Sequence, residues 1–113
     1  MPGASDMKRS ALIREIADML ERELKGNPLP VANATLLDRL RYLKEKLNGV
    51  DEYAFHQVTV LAERAAVYYS GQVESKYPDG PDALFEVMMG YVHWVRLQAL
   101  VREEHQDTDE VQA

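Results

Sequence analysis

The 113-residue sequence contains no cysteine, and this absence excludes disulfide bonds, thiolate metal sites and cysteine nucleophiles. No apolar run approaches the roughly 18 residues that are needed to cross a bilayer. The first residues also lack the apolar stretch of about 7 to 15 residues that a secretory signal needs. We therefore expect a cytoplasmic protein that does not insert into a membrane.

Basic residues are in the minority. Thirteen Lys and Arg side chains stand against nineteen Asp and Glu side chains, which gives a formal net charge of −6. Non-specific nucleic-acid affinity depends on clustered cations that release counterions from phosphate, so we expect no direct binding to nucleic acid. The densest basic run, from Arg39 to Lys46, flanks a leucine stripe on both sides and includes Glu45, as solvated helix surfaces usually do.

Motifs that would indicate a chemical reaction are missing as well. The glycines are isolated, so there is no phosphate-binding loop, and no serine has an adjacent histidine or a glycine elbow. Glu86 and His93 share one face of a predicted helix, where they could form a metal or acid–base pair with help from another helix. The alternative, which we prefer, is that both line the solvent edge of that helix. We expect no enzymatic activity, no metal and no cofactor.

What the sequence does contain is helical periodicity. Apolar residues recur at three- and four-residue spacing in four segments, and no segment alternates in polarity as a strand does. We predict an all-α, four-helix, bundle-like domain over residues 1–104, followed by a disordered acidic tail over residues 105–113. The predicted helices lie near residues 6–25, 34–48, 52–76 and 82–103.

The first two predicted helices are ordinary amphipathic helices. Gly26 is expected to end the first helix in a left-handed conformation, and Asn33 or Thr35 is expected to cap the second. On the polar side of the first helix, pairs of opposite charge recur at i,i+4 spacing: Arg14/Asp18, Asp18/Arg22 and Glu21/Lys25. The second helix carries a leucine stripe: Leu36, Leu37, Leu40, Leu43 and Leu47.

The third predicted helix begins after Asp51, its natural cap, and carries two apolar lines. The broader line is the expected core face: Phe55, Val58, Ala62, Ala65, Ala66, Tyr69 and Val73. A thinner line of Tyr53, Val60 and Val67 recurs every seven residues on roughly the opposite side. Such a line is typical of the seam between two helices, and its alternative interpretation is incidental exposure. We take these three residues as candidates for contact with a second copy or with another protein.

The last predicted helix starts at Asp79-Gly80-Pro81-Asp82 and is apolar around most of its circumference. One small domain cannot cover such a helix completely, so part of its surface is expected to form an interface. Methionine adapts to partners, and Tyr and Trp are frequent in binding hot spots. The candidate association residues on this helix are Met88, Met89, Tyr91 and Trp94. The surplus of apolar surface predicts a homodimer.

From Met7-Lys8-Arg9 to the segment Phe85-Glu86-Val87-Met88-Met89-Gly90-Tyr91-Val92-His93-Trp94, the chain as a whole resembles the small bacterial quorum-sensing anti-activators that bind LuxR-type transcription regulators. This resemblance implies a dimeric helical protein that occupies the regulator's ligand-binding domain at its dimerisation surface, so that the regulator cannot bind DNA. It implies no individual binding residue. The alternative function is that of a secretion or assembly chaperone, which would also be small, acidic and dimeric.

Overall fold

The computed structural model describes residues 8–105, and this part of the chain is helical with no β-strand. The all-α prediction is therefore confirmed. The predicted helix start at residue 6 and residues 106–113 of the predicted tail lie outside the described residues, whereas His105, which the prediction places in the tail, is the last residue of the final helix. The helices are α1 (Arg9–Gly26), α2 (Ala34–Lys46), α3 (Glu52–Tyr68), α4 (Val73–Lys76) and α5 (Pro81–His105). None of them combines the length and the apolar character that crossing a membrane would require.

Helix α5 is the element around which the others are arranged. It packs against α1 on one flank and against α3 on the other, whereas α2 packs mainly against α3. On the α1 flank, the Arg96 guanidinium donates to Asp18 and to Glu21, each at 2.8 Å. On the α3 flank, Arg102 donates to Asp51 at 2.6 Å. These contacts fix the rotation of α5 about its own axis.

The relative direction of α3 and α5 follows from contacts at their two ends. Asp51, just before α3, bonds to Arg102 near the end of α5, and the Tyr68 ring lies 5.5 Å from that of Phe85 near the start of α5. The two helices are therefore antiparallel. Asp51 and Tyr68 are 17 residues apart, as are Phe85 and Arg102, so each step along α3 corresponds to one step back along α5.

The core consists of one buried line from each long helix. On α2, the leucine stripe is buried as predicted, with Leu37 only partly covered. On α5, the buried line follows the spacing of a helix seam: Leu84, Met88, Val92, Val95 and Ala99. Burial of one such side chain contributes about 1.5–3 kcal/mol relative to exposure, and apolar burial of this kind is the dominant favourable contribution to folding.

The third helix ends earlier than predicted. Helix α3 stops at Tyr68, and after a turn the short α4 follows, so the prediction of a continuous helix to about residue 76 is wrong. Gly71 has φ +79°, a left-handed conformation that stops helix propagation and that glycine adopts without steric cost. The Ser70 hydroxyl donates to the Val67 carbonyl at 2.7 Å and satisfies one of the last open acceptors of the helix.

The buried face of α3 is also rotated relative to the prediction. Ala66 is exposed and Phe55 and Ala62 are half-buried, although the sequence pattern predicts all three on the core face. Leu61, which was not assigned to the core, is completely buried. The buried face comprises Ala54, Val58, Leu61, Ala65 and Tyr68. The face turns because α3 must contact α5 on one flank and α2 on the other.

Two adjacent tyrosines hold the connector between α1 and α2. The Tyr68 hydroxyl donates to the Pro28 carbonyl, and the Tyr69 hydroxyl donates to the Asn27 carbonyl at 2.8 Å. The Tyr69 carbonyl in turn accepts from the backbone N–H of Asn33 at 3.2 Å. Burial raises the pKa of both phenols above the ordinary value, so both stay neutral donors. The connector is thus tied to the end of α3.

The caps and surface pairs of α1 and α2 agree only in part with prediction. Asn33 caps α2 by accepting from the Leu36 N–H at 3.1 Å. Gly26 is the last helical residue of α1 and has no positive φ, so its predicted left-handed conformation is wrong. Of the three predicted pairs on α1, only Glu21/Lys25 forms, at 2.6 Å. The other two are wrong, because Asp18 pairs with Arg96 of α5 instead.

Candidate protein-interaction surface

The outer side of α5 carries an apolar line that is separate from its core line. Val87, Trp94 and Val101 follow one another at seven-residue spacing, which places them above one another on one helix face. Trp94 is 50% exposed and Val101 is 43% exposed, whereas Val87 is half-buried. An indole exposed to this extent beside other apolar side chains is an unusual surface feature, since large apolar patches generally mark interaction sites.

This line lies on the flank of α5 that faces α3. Val95 points into the core, so the residues on either side of it in sequence point to opposite flanks. Arg96, the residue after it, pairs with Asp18 of α1. Trp94, the residue before it, therefore lies toward α3.

The Tyr53, Val60 and Val67 line lies on the flank of α3 that faces α5, by the same reasoning. Ala54 points into the core. The following residue, Phe55, lies on the α2 flank, where the Lys44 Nζ is 6.0 Å from the centre of its ring. The preceding residue, Tyr53, therefore lies on the opposite flank, toward α5, and it is 44% exposed.

The two lines run side by side along the junction of α3 and α5. Asp51 faces Arg102 and Tyr68 faces Phe85, so the residue of α5 that lies at the same height as a given residue of α3 can be found by counting along α5. To within one residue, or about 1.5 Å of helix rise, three pairs of residues lie at the same height. These are Tyr53 with Val101, Val60 with Trp94, and Val67 with Val87. We call this six-residue patch the seam surface.

A shallow notch interrupts the α5 side of the seam surface. It is lined by Val87, Gly90, Tyr91 and Trp94. A Cβ atom placed on Gly90 would have no neighbour within 4 Å, so the space above this glycine is open. The notch lies beside the exposed indole of Trp94, and the two together give the patch both a protrusion and a depression.

A buried carboxylate locks the two helices that carry the seam surface. Asp51 is 5% exposed and accepts from the Ala54 N–H at 2.8 Å, from Gln98 Nε2 at 2.9 Å and from Arg102 Nε at 2.6 Å. Burial alone would raise the pKa of Asp51, but the three donors outweigh burial and lower it. The carboxylate is therefore ionised at neutral pH and fixes the register of α3 against α5.

The structure separates the sequence-predicted association residues into two groups. Tyr53 and Trp94 are exposed, and Val60 is half-buried without contributing to the core cluster. The other group consists of half-buried residues packed against the core: Val67, Met89 and Tyr91. Met88 has no exposed surface at all, since it lies on the core line of α5. Its assignment to an association surface is therefore corrected.

Two members of the seam surface were not among the predicted residues. Val87 and Val101 each stand seven residues from Trp94, on a helix that is apolar around most of its circumference. That spacing was a usable signal, because residues seven apart repeat the position of Trp94 on the helix. It was obscured by the neighbouring core line, which has the same period.

Glu86 and His93 lie on the solvent side of α5, where both are exposed. The His93 ring packs edge-on against Trp94, with 5.8 Å between the ring centroids. Within residues 8–105, no cluster of three or more His, Asp and Glu side chains has the arrangement that a metal ion needs.

The basic residues of α2 are engaged by neighbouring side chains. Arg39 donates twice to Glu23 of α1, at 2.8 and 3.0 Å, and Arg41 pairs with Asp38. Lys44 lies 3.4 Å from Glu45, and the Lys46 Nζ lies 5.4 Å from the centre of the Tyr42 ring. This run therefore forms a mixed-charge helix surface.

The seam surface contains three of the exposed large apolar side chains of residues 8–105: Tyr53, Trp94 and Val101. Comparisons with protein-family models, with curated proteins and with solved structures found no match for this chain.

Proposed function

We propose that the protein is a regulator that binds another protein, and that the seam surface is its contact surface. The observation that supports this proposal is the alignment of two apolar lines on adjacent helices, with Trp94 50% exposed at the centre. Aromatic residues in the middle of an apolar patch dominate the binding energy of many interfaces. No reaction chemistry is needed for this role.

The shape of the seam surface suits an apolar helix face. Its three levels are seven residues apart, so they repeat about every 10.5 Å along the junction of α3 and α5. A partner helix with apolar residues at the same period can lie along this junction, with its side chains between the two lines. The notch beside Gly90 offers room for one larger side chain of the partner.

The target that we propose is a LuxR-type transcription regulator, and this part of the proposal is based on the resemblance described above. The protein would occupy the regulator's ligand-binding domain at its dimerisation surface and thereby prevent DNA binding. Such an anti-activator needs no DNA-binding surface of its own, which agrees with the net charge of −6. A cytoplasmic location follows from this target.

We also propose that the free protein is a homodimer. Three of the six seam side chains, Tyr53, Trp94 and Val101, are exposed and costly to leave in water, and a second copy presents the same patch. Two-fold association of identical patches is the commonest arrangement of soluble oligomers. It would join α3 and α5 of both copies into a four-helix layer.

The experiment that tests the function is affinity capture from the native cells, using the wild-type chain and the variants Val60→Asp and Ala66→Asp. Val60 belongs to the seam surface, whereas Ala66 is exposed on the other flank of α3 and serves as the control for an added charge. We expect the wild type and the Ala66 variant to capture a LuxR-type regulator, and the Val60 variant to lose it. Capture of an exported protein instead would favour the chaperone function.

A further inference from the structure

Helices α1 and α2 leave a groove between them. Helix α1 packs mainly against α5 and α2 mainly against α3, so α1 and α2 share few direct contacts. The gap holds a cavity of about 300 Å³. It is lined by Met19, Arg22, Glu23, Arg39, Tyr42 and Leu43. The groove is separate from the seam surface, which lies along the α3–α5 junction.

The interior of this groove is apolar. Leu43 is buried, Met19 is half-buried, and the Tyr42 ring stands at the mouth with 64% of its surface exposed. Methionine has flexible torsions and a polarisable sulfur atom, so it adapts to ligands of different shape. The volume lies at the lower end of the roughly 300–1,000 Å³ that ligand pockets occupy, which limits the occupant to a small molecule.

An ion pair closes one end of the groove without contributing net charge. Arg39 of α2 donates through Nε and Nη2 to the two carboxylate oxygens of Glu23 on α1. The hydrogen bonds with Glu23 raise the pKa of the Arg39 guanidinium above its ordinary value. Both groups are satisfied by each other, so neither is free to neutralise a ligand.

The remaining charges at the mouth are positive. The Arg22 guanidinium is exposed, and none of the ion pairs found among residues 8–105 includes it. Lys46 stands over the Tyr42 ring, 5.4 Å from its centre. The mouth is therefore cationic in a chain whose overall charge is −6. This combination of apolar interior and cationic mouth is complementary to a molecule with an apolar body and an anionic head.

We infer that the α1–α2 groove binds a small amphiphilic anion, a carboxylate with a medium-length alkyl or aromatic body. The carboxylate would pair with Arg22 at the mouth, with Lys46 adding to the positive potential. The body would lie between Met19, Tyr42 and Leu43. Guanidinium groups form directional hydrogen bonds with carboxylates, and this sets the orientation of the ligand.

The test is a titration followed by amide chemical shifts of the ¹⁵N-labelled full chain, with octanoate as the probe and octylammonium as its cationic counterpart. Two variants of equal charge change are compared: Arg22→Glu at the groove, and Arg64→Glu at an exposed position of α3. We expect saturable shifts at the amides of Met19, Arg22, Tyr42 and Leu43 with octanoate and none there with octylammonium.

In the same titration, Arg22→Glu should weaken octanoate binding about fivefold to tenfold, because an exposed ion pair is lost and replaced by repulsion. Arg64→Glu should leave the affinity unchanged within about twofold. Three results would overturn the inference: no saturable shifts at the groove, equal binding of octylammonium, or an affinity that Arg22→Glu does not change. None of these results bears on the seam surface, which is tested separately.

Discussion

Replacement of Asp51 by alanine is the perturbation that best tests how α3 and α5 are held in register. The carboxylate caps α3 through the Ala54 N–H and accepts from Gln98 and Arg102 of α5. Loss of the cap costs about 1 kcal/mol. Removing one partner of a buried ion pair costs about 3–5 kcal/mol, and both members here are largely buried, with side-chain exposures of 14% for Arg102 and 3% for Asp51.

The expected total for Asp51→Ala is about 3–5 kcal/mol, because these two losses share one carboxylate and do not add fully. Against the roughly 5–15 kcal/mol of a typical domain, this is a large fraction of the free energy of unfolding. Urea denaturation followed by circular dichroism at 222 nm measures it, provided that the m value stays constant. The control is Asp38→Ala, which removes an exposed pair with Arg41 and should cost less than about 1 kcal/mol.

The low pKa of the Asp51 carboxylate also predicts how the stability of the protein depends on pH. The pKa in the folded protein is lower than the ordinary value of 3.8, so the contribution of Asp51 to the free energy of unfolding is complete above that value. This contribution is lost as the pH falls through the folded pKa. The Asp51→Asn variant keeps an acceptor for the cap but cannot ionise. Its free energy of unfolding should therefore change less than that of the wild type below about pH 4. Two results would refute the role of Asp51 in holding α3 and α5 in register. One is a cost below about 1 kcal/mol for Asp51→Ala, and the other is the same dependence of the free energy of unfolding on pH for the wild type and the asparagine variant.

Three further predictions concern the fold. Burial raises the pKa of Tyr69, so the free energy of unfolding should fall as the pH rises above about 10. The Tyr69→Phe variant should show a smaller fall in alkaline titrations monitored by circular dichroism. Leu61→Ala should cost about 2–5 kcal/mol in urea denaturation because the side chain is completely buried; a cost near zero would contradict its place in the core. Gly71→Ala should cost about 1 kcal/mol by the same assay, since its φ of +79° is unfavourable for alanine, and a stabilised variant would contradict the turn.

The starts of α2, α3 and α5 and the α2 stripe were predictable from the sequence because local interactions determine them. Asn33 and Asp51 cap their helices through side-chain acceptors only three residues from the N–H donors. Gly80 and Pro81 mark the start of α5 by their backbone preferences alone. A leucine stripe with one apolar face has only one orientation that buries it, so its position in the core also follows from periodicity.

The end of α3 was not predictable in the same way. Tyr68 and Tyr69 continue the helical period, but their hydroxyls bond to the carbonyls of Pro28 and Asn27, about 40 residues away in sequence. The helix stops where these contacts and Gly71 require it to stop. Periodicity contains no information on such distant partners.

The sequence indicated the α3 half of the seam surface but not the α5 half. Its α3 half stood apart from the core line, so the spacing of Tyr53 and Val60 indicated it directly. Its α5 half was obscured, because Trp94 and the core residue Val95 lie in a helix that is apolar nearly all round. The fold separates these positions: Val95 is buried and Trp94 is 50% exposed, and the contact of Arg96 with α1 places Trp94 on the flank toward α3.

Sedimentation velocity at micromolar concentration tests the central claim, that the seam surface is a protein-contact surface, most directly. The wild type and Ala66→Asp should sediment as dimers, whereas Val60→Asp should sediment as a monomer with unchanged helicity. The reason is that burial of an unpaired carboxylate at the centre of the patch costs several kcal/mol, or at least about a hundredfold in the dissociation constant. A wild type that stays monomeric at every concentration, or a Val60 variant that remains a dimer, would contradict the account.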